Sequence, residues 1–319
     1  MDIKKRIHGF LGAEPAKRIT QLVAADFEKI TELRLRADKP MLVRISGQDY
    51  ALTNQGKSQA SNPSAYRPSA ADIAETIERI SQYSFYAFEP ELCLGYITLP
   101  GGHRVGVSGQ AVIESGVVRA WRHISSINFR VAHSVKGCAD AVMPLIYEEG
   151  GEKPRISHTM IISPPGCGKT TLLRDIVRQV SDGLPGKNGL TVGLVDERSE
   201  VAGCFKGIPQ NDIGLRTDVL DGCPKAEGMV MLLRAMSPDV IAVDELGGKG
   251  DAEAAQAVLT AGVRLLCTAH GNSLKDIRKN PALAGLINRK IFQRYIVLSA
   301  PGQVTAILDE EGELACLQV

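Results

Sequence analysis

The 319 residues carry 37 Lys and Arg against 36 Asp and Glu, a formal net charge of +1, with 44% hydrophobic and 5% aromatic residues. This is ordinary globular composition, which excludes a disordered chain and a membrane-embedded one and leaves little for tracking or stacking on nucleic acid. No apolar run approaches the roughly 20 residues of a membrane span, and Met1-Asp2-Ile3-Lys4-Lys5-Arg6 lacks a following apolar signal core, so a cytoplasmic protein of two domains is expected.

Along the chain, Ile19, Leu22, Val23, Phe27 and Ile30 recur at helical spacing and predict one helix over 16–30 lying on a sheet. Residues 31–36 alternate polar with apolar and read as a strand, and 41–45 as a second. The stretch 55–70, rich in Ser, Gln, Asn and Pro, reads as an exposed loop. A helix follows, with Ile73, Ile77 and Ile80 on one face and Asp72 near its positive end. Strands over 92–99, 103–113, 117–121 and 124–131, punctuated by Gly101-Gly102 and Glu114-Ser115-Gly116, predict an antiparallel meander. A helix over 139–147 then runs into the charged, Gly- and Pro-containing stretch 148–154, which suits a linker.

Beyond the linker the pattern changes to strands alternating with helices. Strands are expected at 159–162, 190–195, 240–243 and 264–268, with helices from Lys169, around 228–236 and over 251–261. Such alternation implies a mostly parallel sheet flanked by helices, and 295–298 with 303–308 around Ala300-Pro301-Gly302 adds a C-terminal hairpin at one edge. The expected fold class is α/β, with a smaller α+β domain over 1–136, a helix and linker over 137–155, and a P-loop domain over 156–319. Seven scattered cysteines form no Cys-x-x-Cys pair; reduced, mostly buried thiols are expected, with neither zinc nor disulfides.

The chemistry concentrates at Ser163-Pro164-Pro165-Gly166-Cys167-Gly168-Lys169-Thr170. Gly166 and Gly168 let backbone N–H groups turn inward around phosphate oxygens, while the helix starting at Lys169 presents its positive end. An apolar strand leads in, and Thr170-Thr171-Leu172-Leu173 leads out. Lys169 would bridge the terminal phosphates of ATP, with Thr171 beside it, and Thr170 would place its hydroxyl on Mg2+. Ser163 stands where the consensus has its first glycine, and Cys167 reads as a small loop residue.

Val240-Ile241-Ala242-Val243 runs into Asp244-Glu245, a buried strand ending in two carboxylates. Asp244 would hold Mg2+ through water, and Glu245 would orient or deprotonate the attacking water. Asp196 and Glu197 end another strand at the same sheet edge, as catalytic acids or as members of a salt-bridged strand end. His270, after Thr268-Ala269, would sit beside the γ-phosphate as a sensor or serve as a structural histidine.

These components in this order resemble the ATPases of type II and type IV secretion systems and type IV pili, a RecA-like family that works as hexameric rings. That family carries Leu-Arg before a Pro-Asp strand, then Glu, an acidic Glu-Thr-Ala-type helix and a strand ending in Thr-x-His. The counterparts here are Leu233-Arg234, Pro238-Asp239, Asp244-Glu245, Asp251-Ala252-Glu253-Ala254 and Thr268-Ala269-His270. By this alignment Asp196-Glu197 matches the family's acidic box and His270 its histidine box. The block from Val195-Asp196-Glu197-Arg198-Ser199-Glu200 through Arg216 to Gly228 resembles the sporulation branch, whose ATPases serve the mother-cell to forespore channel.

The resemblance implies a hexamer, an inner-membrane platform protein as partner, and peripheral membrane attachment through it on the mother-cell side. Glu32-Leu33-Arg34-Leu35-Arg36 and His103-Arg104-Val105-Gly106-Val107-Ser108 resemble the arginine-bearing strands of the family's N-domain. By analogy Arg104 or Arg130 would neutralise transition-state charge; otherwise both are surface strand arginines. Two features depart from the pattern: the tetracysteine zinc module of some members is absent, and the usual Gly-Glu is Asp244-Glu245. A nucleic-acid-associated ring ATPase and a nucleotide-binding scaffold with negligible turnover remain as alternatives.

Overall fold

The computed structural model describes residues 3–82, 92–93, 95–133, 135–148 and 154–317. By their internal contacts they fall into two units, Met1–His133 and Ser134–Val319.

In the first unit the apolar periodicity around residues 16–30 resolves into separate pieces rather than one helix. Helix α1 is Ile3–Phe10, α2 is Ala13–Ile19 and α3 is Ala24–Phe27, and Ile30 already opens strand β1, Ile30–Arg36. Val23 is extended (φ −71°, ψ 153°) and breaks the helix. Ile19, Leu22, Phe27 and Ile30 are nevertheless buried, while Val23 is exposed, so the pattern marked a buried face and not helical continuity.

Strands β2 (Leu42–Ile45), β3 (Gln48–Thr53) and β4 (Gly56–Gln59) continue the sheet. The polar stretch read as loop thus begins with an edge strand, where side chains stay wet and polar composition is tolerated. Its later part is anchored by backbone bonds, Met41 N–H to Tyr66 C=O and Tyr66 N–H to Leu52 C=O, both 2.8 Å. Helix α4, Ala70–Ile80, is started by a capping box: Ser69 Oγ accepts the Asp72 N–H, and the Asp72 carboxylate accepts the Ser69 N–H. It buries Ile73, Ile77 and Ile80, as expected.

Strands β5 (Tyr96–Leu99), β6 (His103–Glu114) and β7 (Val117–Arg130) complete an antiparallel sheet of order β4-β3-β2-β1-β7-β6-β5. The break expected near residue 122 is absent, because β7 crosses it as one strand with register shifts against β6. One face buries Leu33, Leu35, Val105, Ile127 and Phe129. Of the linker stretch 148–154, residues 149–153 lie outside the described residues.

The second unit opens with a single helical turn, α5 (Met143–Ile146), shorter than expected because Tyr147 is extended. Tyr147 belongs to β8 (Tyr147–Glu148), which pairs with β9 (Arg155–Ile156). There follow β10 (Thr159–Ser163), α6 (Lys169–Asp182), β11 (Val192–Asp196), β12 (Thr217–Asp221), α7 (Lys225–Ala235), β13 (Val240–Val243), α8 (Lys249–Thr260) and β14 (Arg264–His270). Helices α9 (Leu274–Arg278) and α10 (Pro281–Asn288) precede β15 (Arg294–Ala300), β16 (Gln303–Leu308) and β17 (Leu314–Leu317).

The sheet order is β12-β11-β13-β14-β10-β15-β16-β17, parallel from β12 through β15 and antiparallel beyond. The fold is that of a RecA-like α/β domain with an added antiparallel edge, preceded in the chain by an antiparallel α+β unit.

The parallel strands read as unbroken apolar runs because both faces are covered. Ile161, Leu194, Ala242, Leu266 and Ile296 share one core with Leu173, Ile176 and Val180 of α6. Their neighbours Ile162, Val195, Ile241, Leu265 and Val297 share the other with Met229, Leu232 and Val258 of α7 and α8. Helix α7 lies close to β11 at Gly228, where an added Cβ would stand 2.6 Å from Val195 Cγ1.

Candidate functional site

Four parallel strands, β10, β11, β13 and β14, deliver their carboxyl ends to one edge of the sheet, where open α/β sheets collect ligands. β10 pairs with β14 so that Ser163 stands opposite His270, and β13 lies beyond β14. The first loop after β10 therefore shares an edge with the acidic and histidine strand ends.

That loop is built for close approach of an anion. Gly166 (φ +79°) and Gly168 (φ +86°) both occupy the left-handed region, and a Cβ at Gly166 would meet nothing within 4 Å. At Gly168 it would face the backbone N of Gly302, 3.5 Å away, in the β15–β16 turn. The Cys167 thiol is buried and directed to the Ser299 carbonyl at 3.4 Å, which leaves it a packing role.

Ser163 is fully buried; its hydroxyl donates to the Pro164 carbonyl at 2.9 Å, and its own carbonyl accepts the Gly271 N–H at 3.2 Å. It ends a strand with φ outside the left-handed region, so no glycine is needed there. Pro164 is partly buried and Pro165 exposed, and Thr171 lies half-buried in the first turn of α6. Helix α6 begins at Lys169 immediately after the left-handed Gly168, so its unpaired N–H groups and positive end sit at the loop.

Opposite the loop, Thr170 Oγ1 donates to Asp244 Oδ2 at 2.9 Å, and Thr268 Oγ1 donates to Asp244 Oδ1 at 2.5 Å. Thr268 is fully buried, and the same hydroxyl accepts the Glu245 N–H at 2.8 Å. The Leu246 N–H adds a bond to the Thr268 carbonyl at 2.8 Å. These bonds hold Glu245 at φ +65°, in the left-handed region that a side chain rarely occupies.

The Glu245 carboxylate is engaged on both oxygens, Oε1 by His270 Nε2 and Oε2 by Arg198 Nη1, the latter at 2.9 Å. His270 Nε2 also lies 3.2 Å from Lys169 Nζ. Lys169, His270, Glu245 and Arg198 thus form one continuous polar chain across the mouth of the loop. The Thr170 hydroxyl and Asp244 carboxylate are hard oxygen donors of the kind Mg2+ takes, with the rest of its shell from water and phosphate. The donor set fits that ion.

The expected acidic box lies at the carboxyl end of β11. Asp196 is buried, 1% exposed, and its carboxylate accepts the N–H groups of Glu200, Val201 and Ala202 at 2.8, 3.0 and 2.8 Å. Burial pushes its pKa up, opposed by those three bonds. Its carbonyl accepts from Ser199 and Gly222. Asp196 thus organises its own turn, with both carboxylate oxygens bonded to main-chain N–H groups. Glu197 pairs with Lys225 at the start of α7, the salt-bridged strand end.

Two participants escaped sequence reading, and Thr268, read only as part of the Thr-x-His strand end, takes a bonding role to Asp244 and Glu245 that the motif did not indicate. Arg198 lies in a turn whose direction depends on Asp196. Arg174, on α6, donates to the carbonyls of Val201 and Glu200 at 2.6 and 2.7 Å and ties the phosphate-loop helix to that turn.

Arg104 and Arg130 stand directly opposite each other on β6 and β7, in the first unit. The Arg104 guanidinium lies 4.7 Å from the Tyr96 ring centroid, and Arg130 is exposed. Among the described residues no three of His, Cys, Asp and Glu converge as a metal cluster, and no helix is long and apolar enough to cross a membrane.

The family model described as "Sporulation stage III, protein AA" matches residues 1–315. Stage III sporulation protein AA of Bacillus subtilis (strain 168) is 40% identical over 299 residues, covering 93% of this chain and 92% of that protein. Among solved structures, the Legionella pneumophila ATPase DotB is similar at TM-score 0.58 and 17% identity, over 90% of this chain and 76% of DotB. The pilus retraction motor PilT, solved with bound ADP, is similar at TM-score 0.55 and 17% identity, over 91% of this chain and 78% of PilT.

Proposed function

The chain belongs to the sporulation stage III protein AA family, and we propose that it hydrolyses ATP with Mg2+ at the carboxyl edge of its parallel sheet. The observation that carries this reading is the bonded path from Thr170 through Asp244 and Thr268 to Glu245. It joins the start of α6, a pair of hard oxygen donors and a carboxylate, which supports a reading as the phosphate-binding, metal-holding and water-activating groups that phosphoryl transfer to water requires.

In this reading the loop N–H groups and Lys169 bind the β- and γ-phosphates. Thr170 and Asp244 hold Mg2+, which supplies charge neutralisation on the phosphate oxygens when bound. Glu245 accepts a proton from water as the water oxygen bonds to the γ-phosphorus and the bond to the bridging oxygen breaks, releasing ADP and phosphate. His270, between Glu245 and Lys169, senses the γ-phosphate through either neighbour.

The family membership and the likeness to secretion and pilus ATPases support the wider setting. We read the chain as a cytoplasmic hexameric ring that docks on an inner-membrane platform protein on the mother-cell side and drives a secretion-like channel to the forespore. The same likeness supports Arg104 or Arg130 as the source of transition-state charge neutralisation.

Lys169→Ala should abolish ATP turnover by the purified protein and, in a sporulating host, channel-dependent forespore gene expression. Glu245→Gln should keep nucleotide binding and lose most, though not all, of its turnover. Retention of both readouts in Lys169→Ala sinks the proposal; binding without any turnover by the wild type, even with the partner's cytoplasmic domain, makes the protein a nucleotide-dependent scaffold instead.

A further inference from the structure

Glu245 is gripped from two sides. His270 arrives from the end of β14, the neighbour of β13, and takes Oε1. Oε2 is taken by Arg198, which comes from the turn after β11, the strand on the other side of β13.

The main chain that carries Arg198 is unusually well fixed for a surface turn. The Asp196 carboxylate gathers three successive N–H groups, from Glu200 to Ala202. Ser199 lies at φ +52°, and its hydroxyl bonds Asp221 at the end of β12. Arg174 holds the carbonyls of Glu200 and Val201 from the phosphate-loop helix. Glu197, one residue before Arg198, is drawn to Lys225, which leaves the guanidinium as the group the turn presents to Glu245.

We infer that Arg198 is a positioning residue for the water-activating carboxylate, resting on the hydrolytic role proposed for Glu245. The guanidinium fixes Oε2, so the carboxylate cannot rotate away about its last torsion, and Oε1 stays on the side of Lys169 and the phosphate loop. Arg198 is 63% exposed while Glu245 is 25% exposed, so the contribution lies in orientation and not in overall stability. Through Arg174 the turn follows the helix that begins at Lys169, so the grip on Glu245 is referenced to the phosphate loop itself.

The test compares steady-state hydrolysis and fluorescent-nucleotide binding for the full chain and its Arg198→Ala, Arg198→Lys, Glu245→Gln and Arg198→Ala/Glu245→Gln variants. Arg198→Ala should lower kcat by about 10- to 100-fold with KM and nucleotide affinity little changed, because only orientation at the reacting centre is lost. Arg198→Lys should recover most of that loss. The double variant should be no slower than Glu245→Gln, since Arg198 acts through that carboxylate alone. Unchanged kcat in Arg198→Ala, a parallel rise in KM, or losses that multiply in the double variant would overturn the assignment. Absence of turnover by the wild type overturns the hydrolytic reading and this assignment together, whereas wild-type turnover indifferent to Arg198→Ala overturns this one alone.

Discussion

Thr268→Val isolates the hydroxyl that joins two strands of the site. Valine keeps the shape of the fully buried side chain, so no cavity forms and only hydrogen bonding is lost. One lost bond is donated to the Asp244 carboxylate and the other is accepted from the Glu245 N–H. A bond to a charged acceptor contributes about 1.5–3 kcal/mol, and a buried N–H left unpaired costs about 1–3 kcal/mol. Because one hydroxyl makes both, the terms overlap and about 3 kcal/mol is expected. For a unit of this size that lowers Tm by roughly 6–12 °C. Thr268→Ser keeps the hydroxyl and removes one methyl, which should cost about 1 kcal/mol. Urea titration and calorimetry at neutral pH measure both. A valine variant within about 1 kcal/mol of wild type, or a serine variant as damaged as the valine one, refutes the assignment of the bonds.

Asp196→Ala removes the acceptor of three backbone N–H groups, and a loss above about 3 kcal/mol is expected in urea unfolding; a loss within the range of a surface mutation would show that the turn does not depend on it. Gly228→Ala should destabilise by about 1 kcal/mol although alanine favours helices, because its Cβ would press on Val195; adding Val195→Ala should shrink that penalty, and an unaltered penalty counts against the contact. Burial, with Arg264 nearby, pulls the pKa of His158 from 6.5 to about 4, and its Nδ1 accepts the Leu265 N–H at 3.0 Å. The unfolded chain therefore takes up the proton first: stability is full above pH 6.5 and falls as pH drops toward 4. His158→Asn should flatten that limb in Tm measured across pH, and an equally steep limb in the variant places the titration elsewhere.

What the sequence disclosed followed from strong local constraints. The glycine-bearing loop after β10, the carboxylates at the end of β13 and the apolar strands are legible because glycines, terminal carboxylates and two-faced burial each leave a compositional mark. The mostly parallel sheet, its helical layers and the C-terminal hairpin were likewise readable from alternation of elements. Strand β12 was not, because it is half-buried and carries two aspartates in five residues. The break at Val23 was hidden since the residues around it are buried regardless of helical state. At the site, identity was easier to read than orientation. Asp196 ends its strand where a catalytic acid would stand, yet its carboxylate turns back on its own loop, a choice fixed by the path of residues 199–202 and invisible to spacing. Arg198 and Thr268 gained their positions from neighbouring strands, which only the sheet order brings together.

The left-handed backbone of Glu245 places that residue at odds with selection for a sturdier fold. A side chain in this conformation costs roughly 1–2 kcal/mol relative to glycine, a cost that the Thr268 bonds offset without removing. Directed evolution scored only on heat resistance should accordingly enrich Glu245→Gly, and the survivors should bind nucleotide while turning none over. In the hydrolytic reading proposed for Glu245, that cost is what placing the carboxylate there demands of the backbone.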